Sequence, residues 1–116
     1  QEVFNKAYLG LKAQEFRKST GNYGLCRYRN DSGDKCALGH CIPDNLYAEG
    51  MEGVGPVSLV QHWPTLYLYI GSNTEFLNQL QLAHDGSNNA KDMQDRLLDV
   101  AIRYSLTVPE QDNANT

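Results

Sequence analysis

Apolar residues recur at three- and four-residue spacing over the first part of the chain, and this spacing predicts a helix over residues 2–18. The apolar positions are Val3, Phe4, Ala7, Tyr8 and Leu11. Residues at this spacing fall on one side of an α-helix, so they are expected to face the core. The sequence STGNYG follows, and Gly21 is expected to end the helix because glycine adopts the left-handed conformation without strain.

The last third of the chain predicts two further helices. Ser72 and Glu75 have the spacing of a capping box, which predicts a helix from there to about residue 84. After the turn-forming sequence DGSNN, Asn88 or Asn89 is expected to cap a final helix over about residues 90–105. Helices therefore account for both ends of the predicted domain.

Between them, residues 25–29 and 35–39 alternate in polarity on either side of the turn-forming sequence NDSGD, which predicts an antiparallel hairpin. In that register Tyr28 lies opposite Cys36. Side chains alternate faces along a strand, so the thiols are expected to face the core and a basic face is expected to point outward. The basic face consists of Arg27, Arg29 and Lys35.

These elements predict an α+β fold class. It consists of an N-terminal helix, a small antiparallel β-hairpin or sheet at about 25–29 and 35–39, and two to three C-terminal helices. The 116 residues suit one core, so we expect a single globular domain over 1–108 and a polar C-terminal tail over 109–116. No apolar run has the length of a membrane span.

Charge is unevenly distributed along the chain. Residues 1–35 contain seven basic and four acidic side chains, whereas the remainder contains three basic and ten acidic ones, for a net charge of −4. This balance argues against a general nucleic-acid-binding protein, which would be basic overall. Three cysteines is an odd and low number, which indicates a reducing, cytoplasmic compartment rather than a disulfide-bonded secreted domain.

All three cysteines lie within CRYRNDSGDKCALGHCIPDNLY, residues 26–47, together with one histidine. Small buried thiols are the favoured interpretation, because free cysteine is among the most buried residue types. A zinc site is the alternative, and its ligands would be Cys26, Cys36, His40 and Cys41. Their number and type fit zinc, but the spacing lacks the tight Cys-x2-Cys or His-x3-His pairs of ordinary structural sites.

A nucleophilic pair remains a third interpretation of these residues. It would combine Cys36 or Cys41 with His40, His62 or His84. A reactive thiolate needs a nearby cation in a cleft. For His84, at a predicted helix end, a structural interaction with the helix dipole is favoured over acid–base work. No residue is predicted to be catalytic, and no cofactor is expected.

The same stretch resembles small uncharacterised proteins of tailed bacteriophages and prophages. The shared pattern is C-x-Y-x5-D-x-C-A-L-G-x-x-I-P-D-x-x-Y, and LQLAHD at 80–85 is similar to its second half. The resemblance covers residues 26–85. It implies a phage or prophage origin and a bacterial cytoplasm, and it implies no reaction.

We therefore expect a small non-enzymatic protein that binds another protein and inhibits or modulates a host or anti-phage defence complex. Its predicted partner-binding residues are Arg27, Arg29, Lys35, Asp44, Glu49, Glu52, Asp92, Asp95 and Asp99. The first alternative is a nucleotide or small molecule stacked on Trp63, Tyr67 or Tyr69. The second is a zinc-stabilised interaction domain. Neither a membrane nor a nucleic acid is expected as a partner, and self-association is left open.

Overall fold

The computed structural model of the protein describes residues 1–21 and 24–109. The α-helices within these ranges are α1 (Glu2–Ala13), α2 (Pro56–His62), α3 (Tyr67–Ile70), α4 (Thr74–Asp85) and α5 (Ala90–Arg103). Shorter 3₁₀ helices are formed by Leu38–Cys41, Glu49–Met51 and Pro64–Leu66. None of the helices in the described part of the chain combines the length and the apolar character that crossing a membrane requires.

Helix α1 buries the predicted apolar face but is shorter than predicted. Phe4, Tyr8 and Leu11 are among its buried residues. The chain leaves the helix after Ala13, because Glu15 and Phe16 adopt left-handed conformations with φ of 59° and 55°. The Phe16 N–H then donates to the Leu11 carbonyl at 2.7 Å, which closes the helix end. The predicted end near residue 18 is therefore wrong.

The predicted α+β fold with a hairpin over 25–29 and 35–39 is also wrong. No β-strand is formed by residues 1–21 or 24–109, where the sheet-like pairs are the isolated bridges Thr20–Cys26 and Arg29–Lys35. The turn between the predicted strands does form, with the Asn30 side chain accepting from the Ser32 and Asp34 N–H groups at 3.1 and 2.9 Å.

What replaces the second strand is the 3₁₀ helix Leu38–Cys41, which packs against α1. Leu38 and Cys41 lie on the same side of this turn and both are buried. Gly39 makes the close packing possible, since a Cβ atom there would lie 2.1 Å from the Tyr28 carbonyl oxygen. Packing against a helix, rather than pairing with a neighbouring strand, therefore determines the conformation of this segment.

Helices α4 and α5 pack against each other and complete the core. Helix α5 is capped by Asn89, one of the two predicted caps, whose side chain accepts from the Asp92 N–H at 2.8 Å. The cap of α4 is Asn73 rather than the predicted Ser72; its side chain accepts from the Phe76 N–H at 3.1 Å. Buried residues of α1, α4 and α5 meet in one hydrophobic core within the described part of the chain. The predicted tail lies outside the described residues except for Pro109.

Candidate functional site

The predicted basic residues and three of the predicted acidic residues lie next to each other. The Arg27 guanidinium donates to the Glu49 carboxylate and lies 3.8 Å from Glu52. Glu52 also accepts from the backbone N–H groups of Tyr28 and Arg29, at 2.8 and 3.1 Å. Glu52 therefore holds this segment in place, and part of the Arg27 charge is balanced within the chain.

Arg29 and Lys35 share a second acidic partner. Asp44 lies 2.9 Å from the Arg29 guanidinium and 3.7 Å from the Lys35 ammonium. Arg29 also donates to the Ile42 carbonyl at 2.8 Å and lies 4.5 Å from the centre of the Tyr47 ring. The structure thus brings the predicted basic face together with Asp44, Glu49 and Glu52 in two ion-pair groups, which the hydrogen bond from the Arg29 backbone N–H to Glu52 connects.

The other predicted acidic residues lie along α5. Asp92 pairs with Arg96 at 3.0 Å and Asp95 pairs with Lys91 at 3.1 Å, both four residues apart on the helix. The backbone N–H of Asn88 donates to Asp92 and, as the largest cause, lowers the pKa of that carboxyl. Asp99 is exposed and lies beside Arg96 in a shallow pocket between α4 and α5. These acids therefore lie on a different element from Asp44 and Glu49, and their described ion pairs stay within α5.

The residues of the predicted stacking site do not meet in one pocket. Trp63 lines a pocket of about 170 Å³ with Leu46, Met51 and Pro64. It also lines an open groove along the glycine-rich segment 50–55. Tyr67 and Tyr69 line neither of these, and both are exposed on α3. The structure therefore separates the indole from the two phenol rings.

Three of the four predicted zinc ligands make separate contacts, and the fourth, Cys26, is described below with His84 and Asp85. Cys36 accepts from the Gly39 N–H at 3.4 Å, and Cys41 donates towards the Val3 carbonyl at 3.5 Å. His40 bonds Gln14 at 2.9 Å. Burial raises the pKa of Cys36 and of Cys41 to about 12. Both are buried free thiols, as the pattern favours, and they are poor nucleophiles at neutral pH.

His40 is held neutral by its surroundings. Its ring fits beside Gly10, where a Cβ atom would lie 2.3 Å from the imidazole, and it donates to the Gln14 side-chain oxygen. Burial, followed by the charge of Lys35, lowers the pKa of His40 from 6.5 to about 4. The ring is therefore a packed donor at neutral pH.

We expect His40 to titrate near pH 4 in the folded protein. The unfolded chain takes up this proton at about pH 6.5. As pH falls from 6.5 towards 4, only the unfolded state gains the proton, so the free energy of unfolding is expected to decrease over this range. The imidazole NMR resonance followed against pH measures the midpoint, and a His40→Gln variant should lose this part of the pH dependence. A midpoint near 6.5 would contradict the packing described for His40.

A different cluster, formed by Cys26, His84 and Asp85, lies at the end of α4, where Ser19 and Cys26 contact the helix. The candidate ligand atoms of its three members lie within 4.8 Å of one another. The His84 ring is fully buried. Its Nε2 accepts from the Ser19 backbone N–H at 2.8 Å, and its Nδ1 lies 2.8 Å from the Asp85 carboxylate. The cluster thus joins residues 65 positions apart in the sequence.

The Ser19 contact determines the chemical form of His84. A backbone N–H can only donate, so Nε2 must carry the lone pair and Nδ1 must carry the proton. The ring is then neutral and donates from Nδ1 to Asp85. A zinc ion bound at Nδ1 would require the proton to move to Nε2, where it would face the Ser19 N–H. The observed hydrogen bonds therefore favour a structural link over a metal centre at this cluster.

Cys26 is the partly exposed thiol of the chain, and it is not an activated one. Burial raises the pKa of Cys26 to about 11, and the hydrogen bond that it donates to Asp85 acts in the same direction. A catalytic cysteine needs the opposite arrangement, with a cation that favours the thiolate. The arrangement therefore provides a hydrogen-bond donor rather than a nucleophile.

The chain matches no protein-family model, no curated protein and no solved structure. Evidence on function therefore comes from the contacts, charges and exposed surfaces of this chain. Sequence patterns missed the link between His84 and Ser19, because no local spacing connects residues so far apart. The adjacency of His84 and Asp85 at a predicted helix end is the signal that the sequence offers, and by itself it predicts only an interaction of His84 with the helix dipole.

Proposed function

We propose that the protein acts by binding another protein through the exposed side chains of Tyr67, Leu68 and Tyr69, here called the α3 surface. These consecutive residues are 55%, 78% and 39% exposed. Tyrosine is enriched at protein interfaces because its ring supplies a large contact area and its hydroxyl supplies a hydrogen bond. The exposure of three consecutive large side chains, two of them tyrosines, is the observation that carries the proposal.

The helical turn of α3 holds this surface in place. Leu66 and Ile70, on either side of the three exposed residues, are 1% and 2% exposed and are part of the core. Buried residues thus anchor the chain immediately before and after the three exposed side chains. A surface that is already ordered loses less conformational entropy on binding. This favours the α3 surface as a docking element.

The charged residues are weaker candidates for the main contact. Of the nine predicted partner-binding residues, all but Asp99 take part in ion pairs within the described part of the chain. A surface ion pair is typically worth less than about 1 kcal/mol, and a charge that already has a partner within the chain must share or give up that partner to pair with another protein. These residues are expected to tune orientation and association rate around an apolar contact.

The proposed setting follows from the resemblance of residues 26–85 to tailed-phage and prophage proteins. In that setting the partner is a host or anti-phage defence protein in the bacterial cytoplasm, and binding inhibits or modulates its complex. Burial raises the pKa of Cys26, Cys36 and Cys41, so none of the three thiols is activated as a nucleophile at neutral pH, which supports action by binding over thiol catalysis.

Serine replacement of Tyr67, Leu68 and Tyr69 together is expected to weaken binding of the cognate partner by more than tenfold. Loss of a few central contacts at an interface costs about 2 kcal/mol or more, which exceeds a tenfold change in affinity. Tagged wild-type and variant chains are compared by affinity capture from a bacterial lysate with mass spectrometry. The captured protein is then purified, and its affinity for each chain is measured.

A matched control is the replacement of Leu9 and Ile102 by serine, because both are exposed apolar residues outside α3. This control should bind like wild type, and all variants should keep their free energy of unfolding. Equal affinity of the α3 variant and wild type would rule out the α3 surface. Loss of binding on charge reversal of Asp92, Asp95 and Asp99 alone would instead support the acidic face of α5.

A further inference from the structure

A second surface feature is a pocket of about 260 Å³ bounded by one face of α4, the 53–55 segment and the chain around Cys26. Helix α4 lines it with Asn78, Gln81, Leu82 and Asp85. These positions are spaced three and four residues apart, so they form one continuous helix face. The pocket lies on the open side of the Cys26–His84–Asp85 cluster and does not include any residue of the α3 surface.

Asp85 contributes a negative charge that the chain leaves unbalanced. Its carboxylate accepts from the His84 Nδ1–H at 2.8 Å, from the Gln81 amide at 3.2 Å and from the Cys26 thiol. All three donors are neutral, His84 because the Ser19 N–H occupies its Nε2. The Asp85 side chain remains 36% exposed, facing the pocket. The carboxylate is thus held in position without being neutralised.

The nearby basic side chains do not remove this charge. Arg27 also lines the pocket, but its guanidinium is bonded to Glu49 and lies near Glu52. Lys18 lies close enough to act on the Cys26 thiol, but it is not within ion-pair distance of Asp85 among the described contacts. Arg27 with its two acidic neighbours and Asp85 give this region a net negative charge.

The remaining walls suit a short carbon chain. Val54, Pro56 and Leu82 provide apolar surface, and the Asn78 amide makes no hydrogen bond to another residue of the described chain. An apolar pocket with a few oriented polar groups is typical of a ligand site. A ligand that satisfies all of these groups has a cationic end for Asp85 and an aliphatic part for Leu82.

We propose that this pocket binds an ammonium or guanidinium group carried on a short aliphatic chain. Such a group occurs in free alkylamines and in the lysine or arginine side chains of proteins, and the chemistry of recognition is the same. The proposal does not depend on the α3 surface.

The test is a titration of ¹⁵N-labelled protein with n-butylammonium and with n-butylguanidinium, observed by NMR. Saturable shifts are expected at Gly55, Asn78 and Leu82. n-Butanol and butyrate serve as the neutral and the anionic control and should bind at least about tenfold more weakly, which corresponds to one favourable charge contact. Equal shifts with n-butanol would overturn the proposal, as would the lack of any saturable shift with either cation.

Two variants separate charge from shape. Asp85→Asn removes the charge but keeps an oxygen for His84, and it should reduce cation affinity at least about tenfold. Gly55 lines the pocket, so Gly55→Leu should narrow it and weaken cation binding. The substitution should be tolerated and leave Asp85 in place, because Gly55 has φ of −75° and a Cβ atom added there would meet no atom within 4 Å. Asp99→Asn, an exposed acid elsewhere, is the matched control and should bind like wild type. Undiminished binding by both test variants would overturn the proposal.

A capped Gly-Lys-Gly peptide distinguishes the two sources of the cation. Peptide affinity equal to that of n-butylammonium supports a basic side chain of a protein as the natural occupant. Binding of the free amines without the peptide supports a small-molecule ligand. Because Tyr67, Leu68 and Tyr69 are unchanged in every variant of this test, its failure leaves the proposed function standing.

Discussion

Replacing Gly39 by alanine is expected to lower the free energy of unfolding by about 3 kcal/mol, at the upper end of the range for overpacking substitutions. An alanine Cβ would lie 2.1 Å from the Tyr28 carbonyl oxygen and 3.0 Å from the Tyr28 carbonyl carbon. The obstructing atoms are backbone, so they cannot rotate away as a side chain would. The same carbonyl accepts from the Cys36 N–H at 3.2 Å, and that bond would be strained as well.

Gly55→Ala is the matched control for this experiment. Gly55 has a backbone conformation open to all residues, and an added Cβ would meet no atom within 4 Å. Its replacement is expected to be neutral or to stabilise the protein by up to about 1 kcal/mol through the unfolded state. Urea unfolding of both variants measures the difference. Equal stability of the two would show that residues 36–41 do not pack against Tyr28 as described.

His84→Ala is expected to destabilise the protein by a similar amount, about 3 kcal/mol. The substitution leaves a cavity in place of a fully buried ring, and it leaves the buried Ser19 N–H without an acceptor. Large-to-small core substitutions cost about 2–5 kcal/mol, and an unsatisfied buried donor adds a further penalty. Thermal or urea unfolding measures the loss.

Two further histidine variants make this result specific. His84→Gln can place its side-chain oxygen near the position of Nε2, so it should recover part of the lost stability by accepting from Ser19. His62→Ala should change stability by less than about 0.5 kcal/mol, because His62 is exposed and its hydrogen bond among the described residues is to the Ser58 carbonyl of its own helix. A His84→Ala variant as stable as His62→Ala would contradict the structural role of His84.

Helix periodicity predicted much of the fold. Met93, Leu97 and Ala101 are buried along α5, and Asn89 caps it, because a long amphipathic stripe with a capping residue has one good solution. The residue at which a helix begins was harder to predict. Ser72 and Asn73 are both good caps, and only the structure shows that Asn73 is used.

The hairpin was predicted wrongly because its alternating pattern also suits a helical turn. Cys36 and Leu38 are apolar residues that either conformation buries, whereas Ala37, which the hairpin would turn outward, is buried only in the observed conformation. A two-stranded hairpin is marginal without a third strand or a helix to cover it. In this chain the residues after Cys36 form a 3₁₀ helix that packs against α1, and this packing places both Leu38 and Cys41 in the core. Local pattern could not anticipate that tertiary contact.

The candidate site was predictable only in part. Acidic and basic residues were recognised as functional candidates, but the sequence could not show that Arg29 and Asp44 pair with each other. No sequence pattern marks Asp85 as a binding residue, because its unbalanced charge depends on neutral hydrogen-bond donors that the fold brings to it. Its donors come from Gln81 and His84 on α4 and from Cys26, which is 59 positions away in the sequence.

The tautomer of His84 decides whether the Cys26–His84–Asp85 cluster is a hydrogen-bonded link that leaves the Asp85 charge free for the pocket. Two-bond ¹H–¹⁵N NMR of the imidazole distinguishes the two ring nitrogens near neutral pH. The hydrogen bonds of His84 with Ser19 and Asp85 predict a neutral ring with the proton on Nδ1 and an unprotonated Nε2. A ring protonated at Nε2, alone or at both nitrogens, would contradict it, because Ser19 could then no longer donate to His84.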